Sequence, residues 1–312
     1  MTEGTSTPAA EPASHHAHYL RGVALVLAGG VCLSGGGLLL RGIEAADGWQ
    51  ILFYRSLAFF VTLFTYLVLR YRGRVVRPFR AVGWAGVIAA LALGVGFVCY
   101  VYAMLMTTVA NVVFTLAAGP FLAAGLAWLV LRERVRPGSL VAMVAAVAGI
   151  GLMFGDGLQT GRWLGNLVAL VPPATFAVLV VAFRFRKDID MVPATCLAGL
   201  VSLLIAAWMV EDLSVSSWDL MLSLLLGSVQ VGAGFLLITL GARYVPAGEV
   251  SLFGLTETIL APLWVGLVIG EVPSLLTLAG GVVVMVAVVG AAASSLRAHA
   301  AASPGKGVGR VG

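Results

Sequence analysis

Residues 108–138, TVANVVFTLAAGPFLAAGLAWLVLRERVRPG, and residues 246–276, PAGEVSLFGLTETILAPLWVGLVIGEVPSLL, decide the fold. Laid over each other without a gap, Glu133 falls on Glu271 and Asn111 falls on Glu249. Each copy is a long apolar span ending in Glu, then a polar or Pro-containing turn, then a second apolar span rich in small residues. Hydropathy duplicated in this way is the mark of a membrane chain built from two related halves, with its site between them.

Working outward, ten apolar runs can be marked: 19–40, 48–70, 81–105, 109–131, 139–156, 163–183, 192–210, 218–240, 247–270 and 273–295. A helix crossing a ~30 Å hydrocarbon core needs ~20 apolar residues. Strands of a membrane barrel would be about half as long and would alternate apolar with polar residues. The chain is 60% hydrophobic and 11% charged, against about a quarter charged in a soluble domain. The pattern predicts an all-α integral membrane protein of ten transmembrane helices, with five-helix repeats at 19–157 and 161–296. Residues 1–18 and 297–312, rich in Gly, Ala, Pro and Ser, are expected to be disordered cytoplasmic tails. The leading tail lacks the basic start of a signal peptide, so the first run is expected to stay as a span.

Placing the N-terminus in the cytoplasm gathers sixteen of the nineteen Lys and Arg residues on that side. Arg41 and Arg162 fall on the other side, and Arg55 lies inside a span. The positive-inside rule therefore puts both termini in the cytoplasm. The net charge of +5 is an orientation signal and does not point to nucleic acid. Five is odd, so the second half inserts upside down relative to the first, an inverted repeat. Cys32, Cys99 and Cys196 all fall within spans and match no metal spacing. His15, His16 and His18 have no thiol partner in the leading tail, and neither metal nor cofactor is expected.

Ionisable groups at membrane depth are costly and default to function, with structural pairing as the rival account. Arg55, in ILFYRSLAFF, sits two turns into the second span; it contacts a solute, or else snorkels or binds a carbonyl. Glu257, in GLTETILAP, is near the middle of the ninth span and too deep to snorkel. It is the candidate for substrate binding, gating or proton coupling, with a buried packing hydrogen bond as the alternative. Glu249 follows the turn at residues 246–248, where an acid also meets a positive helix N-terminus. Glu249, Phe253, Glu257 and Leu260 share one helix face, and the matching face of the fourth span carries Asn111, Thr115, Ala118 and Gly119. Gln230 lies among Gly227, Gly232 and Gly234, where interhelical hydrogen bonding is the alternative; Tyr100 follows Gly94 and Gly96. The pathway candidates are thus Arg55, Tyr100, Asn111, Thr115, Gln230, Glu249, Phe253 and Glu257. Pro120, Pro172-Pro173 and Pro262 are expected to bend or break their spans. Small residues at Ala142, Ala146, Gly149, Gly280, Ala287 and Ala291 should let the fifth and tenth spans pack closely. Glu133 and Glu271 read as turn residues that bond the start of the following helix.

The stretches TTVANVVFTLAAGPFLAAGLAWLVLRERV and LGARYVPAGEVSLFGLTETILAPLWVGLVIGEVPS resemble the two repeats of EamA-type transporters, in the drug/metabolite transporter superfamily. The resemblance implies a ten-helix inverted-repeat carrier with a central cavity between its halves, in a bacterial cytoplasmic membrane. Members export amino acids, other metabolites or drugs, and some import. No G-x-x-x-x-G-K-[ST] phosphate loop is present, so the chain alone does not pump with ATP. The expectation is a secondary transporter, first of all an exporter, of a small metabolite such as an amino acid, working by alternating access in the lipid bilayer with protons as a coupling partner. Rival readings are a multidrug or hydrophobic-cation efflux carrier, a membrane sensor, and an intramembrane enzyme. The last needs converging nucleophile, base or metal ligands; the spans hold no His and no acid pair except along one helix, so an enzyme is not expected.

Overall fold

A computed structural model of the chain describes residues 11–132, 137–184, 190, 192–245 and 247–302. Ten apolar helices follow one another: α1 (His18–Arg41), α2 (Gly48–Arg70), α3 (Gly83–Met106), α4 (Val109–Leu131), α5 (Gly138–Thr160), α6 (Trp163–Ala182), α7 (Val192–Met209), α8 (Ser217–Gly241), α9 (Ala247–Ile269) and α10 (Leu275–Ser294). Among the described residues, nine of them are long and apolar enough to cross a membrane, and α9 carries a further apolar stretch over Leu255–Ile269. There is no strand among the described residues. The helix of α1 continues back to Glu11 and that of α10 on to Ala302. Part of each stretch expected to be disordered is therefore helical, while residues 1–10 and 303–312 lie outside the described residues.

The packing repeats itself with the halves exchanged. Helix α3 lies on α6 as α8 lies on α1; α7 lies on α3 as α2 lies on α8; α4 lies on α6 as α9 lies on α1. Three pairs, α5 with α10, α2 with α7 and α4 with α9, are each formed by a helix and its own counterpart. The α5–α10 pair is close because small residues line it: a Cβ on Gly149 would stand 2.6 Å from the Gly280 carbonyl oxygen, and Ala142, Ala146 and Ala287 are buried there. Backbones that approach so nearly replace a hydrophobic drive that lipid cannot provide.

Polar ties group the turns onto two faces. On one, the turn face, Asp219 at the start of α8 accepts the main-chain N–H groups of Glu44, Ala45 and Ala46 at 3.0, 3.1 and 3.0 Å. Gln50 Nε2 donates to the carbonyls of Asp212 and Ser214, and Asp47 with Gln50 forms a reciprocal cap at the start of α2, which satisfies otherwise orphan helix N–H groups. On the other, the terminal face, the Tyr19 hydroxyl donates to Glu249 at 2.7 Å and that of Tyr71 to Asp190 at 2.9 Å.

The duplicated motif has a duplicated backbone turn. Helix α4 ends at Arg132 in the left-handed region (φ 54) and α9 ends at Gly270 (φ 78), the positions that align when Glu133 is laid on Glu271. A left-handed residue after the last turn is a common helix stop, and glycine adopts it without the Cβ penalty that Arg132 carries. Glu133 itself lies outside the described residues.

Four spans depart from regular α-helix. Helix α1 is interrupted at Gly35, α4 at Ala118 and α6 at Leu170, and α8 is π-helical over Leu226–Ala233. Pro120 and Pro172-Pro173 sit in the first turn after their breaks, where a missing N–H costs nothing. Pro262 does not break its span: α9 runs through it as one helix.

Candidate functional site

The four irregularities surround one cavity. It holds about 190 Å³ and is lined by Leu33 of α1, Arg55 of α2, Leu93, Gly96, Phe97 and Tyr100 of α3, Leu116 of α4, Pro172 and Phe176 of α6, Gln230 and Val231 of α8, and Glu257 of α9. Leu33, Leu116 and Pro172 each stand two residues from the break in their span, and Gln230 lies inside the π-helical segment. Broken helices meeting at the interface of two repeats expose half-helix ends and unpaired backbone groups to a site. A π-segment in an α-helix is likewise most often found at functional sites.

Arg55 is held at the cavity wall by aromatic rings. Its guanidinium carbon lies 5.5 Å from the Phe97 centroid and 5.3 Å from that of Tyr100, within reach of a cation–π attraction that strengthens where water is absent. Its Nε has no hydrogen-bond partner among the described residues. It is 3% exposed, so it neither snorkels nor binds a carbonyl through that nitrogen. Glu257 lines the same cavity, half-buried, yet no ion pair joins the two among the described residues.

Gln230 is placed by close backbone approach. A Cβ on Gly227 would run into the Arg55 carbonyl, so α8 can touch α2 only with glycine there. The Gln230 amide donates from Nε2 to the Leu33 carbonyl at 3.1 Å, just before the α1 break. Its Oε1 has no partner among the described residues. A Cβ on Gly36 would come within 2.7 Å of the Tyr100 hydroxyl and 2.8 Å of Gln230 Nε2, so these two polar groups converge beside the bare backbone of α1.

The other four pathway candidates stand elsewhere. Asn111 and Thr115 are buried near the start of α4, where Thr115 Oγ1 donates to the Asn111 carbonyl. Glu249 is bonded to Tyr19 on the terminal face. Phe253 is half-buried and outside the cavity lining. Glu271 does not bond the helix that follows it: its Oε1 accepts the Val109 N–H of α4 at 2.8 Å, while Oε2 pairs with Arg41 Nε at 2.9 Å. The carboxylate thus meets the positive end of a helix in the other half.

A larger hollow of about 600 Å³ opens sideways between α9 and α10, past Pro262, Leu263, Leu267, Val282 and Val286. Its walls are apolar apart from Thr258 and Glu271, and Leu267 and Val286 are 78% and 67% exposed on the outside of the bundle. It lacks the convergent polar groups of a recognition site.

The sequence profile of the EamA-like transporter family matches residues 20–155 and again residues 163–293. The chain belongs to the EamA-like transporter family. The two matched segments are the two five-helix halves, and the family consists of membrane transporters rather than enzymes. No curated protein matches the chain. A solved structure described only as the crystal structure of a protein is 18% identical, with a TM-score of 0.62, covering 90% of this chain and 98% of its own. At that identity the likeness speaks to the fold alone.

Sequence reading passed over Leu33, Leu93, Phe97, Leu116, Phe176 and Val231 as cavity wall because an apolar residue facing a cavity looks like one facing lipid. It also passed over Asn166, whose signal was a lone amide in the apolar run LGNLVAL.

Proposed function

We propose that this EamA-family protein is a secondary transporter that carries a small zwitterionic metabolite, of amino-acid size, through the central cavity by alternating access of its two halves. The observation that carries the reading is a pair of unpartnered polar atoms at the cavity wall, Arg55 Nε and Gln230 Oε1. A buried donor or acceptor without a partner costs about 1–3 kcal/mol, and a solute that bonds both removes that cost. Arg55 would take the carboxylate and Glu257 the ammonium group; Glu257 would also be the residue that exchanges a proton with the solute. Size argues in the same direction. A cavity of about 190 Å³ is below the ~300–1,000 Å³ of drug-sized pockets and a little above the ~150 Å³ that takes benzene. A bulky hydrophobic cation would meet too little room and the positive charge of Arg55. The positive-inside rule places the terminal face in the cytoplasm, and export to the turn-face side is the direction proposed.

The test is transport in proteoliposomes loaded with pooled labelled amino acids and related metabolites, with and without a pH gradient. Saturable efflux of one class that responds to the gradient is expected, and Arg55→Gln and Glu257→Gln should abolish it while inserting normally. Wild-type rates in both variants would overturn the assignment of the site.

A further inference from the structure

The central cavity limits its solute by volume. It holds about 190 Å³, and a cavity of ~150 Å³ takes benzene, which is ~25 Å³ for each non-hydrogen atom. On that scale there is room for ~8 such atoms. Valine has eight and phenylalanine has twelve. The walls select by chemistry too. Their polar side chains are Arg55, Tyr100, Gln230 and Glu257, and every other lining residue is apolar or glycine. The change from polar to apolar runs along one face of α3, where Tyr100 and Leu93 stand about 10 Å apart along the helix. Between them Gly96 seats α6: a Cβ there would run into the Thr175 hydroxyl and come 3.6 Å from the Pro172 Cα. The hydroxyls near the cavity are spent on their own helices. Thr175 Oγ1 donates to the Pro172 carbonyl at 2.9 Å, Thr115 Oγ1 to that of Asn111 at 2.7 Å and Ser34 Oγ to that of Val31 at 2.7 Å. None of the three lines the cavity.

We propose that the solute is a short aliphatic amino acid of about valine's size, and that Phe176 and Leu116 set the upper limit. The inference rests on the amino-acid reading above, in which the charged head group takes Arg55, Gln230 and Glu257. It adds what the side chain of that amino acid can be. Phe97 and Tyr100 lie against the Arg55 guanidinium at 5.5 and 5.3 Å, and so belong to the charged end. Phe176 and Leu116 are the bulky groups beside the breaks of α6 and α4. A Cβ on Gly119, just past the α4 break, would stand 4.0 Å from Phe176 Cδ1, so that ring lies between the two breaks. Phe176 is 41% exposed, and shortening it widens the cavity without emptying a packed core. A side-chain hydroxyl on the solute would meet the apolar wall without a partner, and an apolar pocket rejects a hydroxyl isostere by about a hundredfold. Threonine is therefore a poor substrate, and phenylalanine is excluded by size.

The test is self-exchange in proteoliposomes. Vesicles are loaded with one unlabelled amino acid and given the same amino acid labelled outside, in separate runs for alanine, valine, threonine and phenylalanine. Valine is expected to exchange fastest, threonine with about a hundredfold lower efficiency, and phenylalanine no faster than in protein-free vesicles. Phe176→Ala should admit phenylalanine, at about tenfold or more over that background. Leu116→Phe should exclude valine and keep alanine. The two variants move the limit in opposite directions, so a loss of fold cannot imitate the pair of results, and either decides alone where the other fails to insert. Phenylalanine exchanging as fast as valine in the unaltered protein, threonine matching valine, or a limit that inserted variants leave where it was would each overturn the proposal and leave the amino-acid reading standing. No exchange of any of the four would overturn that reading and this inference with it.

Discussion

Replacing Glu271 by Gln is expected to cost about 2 kcal/mol, nearly all of it through Arg41. The pair is joined at 2.9 Å with the side chains 24% and 19% exposed, between the fully exposed pairs that contribute ~0–1 kcal/mol and the buried ones whose breakage costs ~3–5. An effective dielectric near 20 gives a gross attraction of about 4 kcal/mol at 4 Å, of which desolvation and side-chain ordering remove about half. Gln keeps an oxygen for the Val109 N–H, so the helix cap survives. Glu271→Ala loses the cap as well, worth ~0.5–2 kcal/mol at a helix start, and should cost about 3 kcal/mol. Reversible unfolding in mixed micelles across the cycle of Arg41→Gln, Glu271→Gln and the double variant should return a coupling of about 2 kcal/mol. It should persist at 1 M salt, where the screening length is ~3 Å and solvated pairs are quenched. A coupling under about 0.5 kcal/mol, or one that salt removes, would refute the claim that Glu271 ties the two halves together.

Gly227→Ala should destabilise the fold by about 1–3 kcal/mol, the usual cost of overpacking, because the new methyl meets the Arg55 carbonyl and the Ala58 side chain; wild-type stability in the same unfolding assay would show that α2 and α8 are not in that contact. In the α7–α8 turn, the main-chain N–H of Ser214 and then its hydroxyl hold the Asp212 carboxyl below the usual carboxylate range. The order this lends the turn is present above the ordinary carboxylate range and is lost as pH falls through the lowered value. Carboxyl-carbon NMR should find Asp212 titrating low and Ser214→Ala moving it back up; no movement would sink the assignment.

The candidate site was half legible. Arg55, Gln230 and Glu257 were picked out because a charge or amide in an apolar run is costly enough to be noticed, and Tyr100 for its hydroxyl after Gly94 and Gly96; the structure gathers these four around one cavity. Asn111, Thr115, Glu249 and Phe253 were chosen by helix-face periodicity along α4 and α9, which tells what shares a face but not what that face meets. Asn111 meets Asn166 and Thr277, and Glu249 meets Tyr19, 230 residues away. Pro262 left bend and break open for a related reason: proline removes one hydrogen bond, and whether the helix then breaks is decided by its neighbours.

The class and the repeat were determined by the sequence by itself. Ten long apolar runs can satisfy their backbones in lipid only as helices, and the Glu133–Glu271 alignment carries the duplication in the chain. These are local or additive properties, readable without knowing what touches what. What only the tertiary structure decided is partnership: that Glu271 caps a helix of the other half, that three span breaks and a π-segment converge on one cavity, and that Asn111 meets Asn166 and Thr277. Each depends on groups far apart in sequence meeting within hydrogen-bond distance, which packing fixes and periodicity does not.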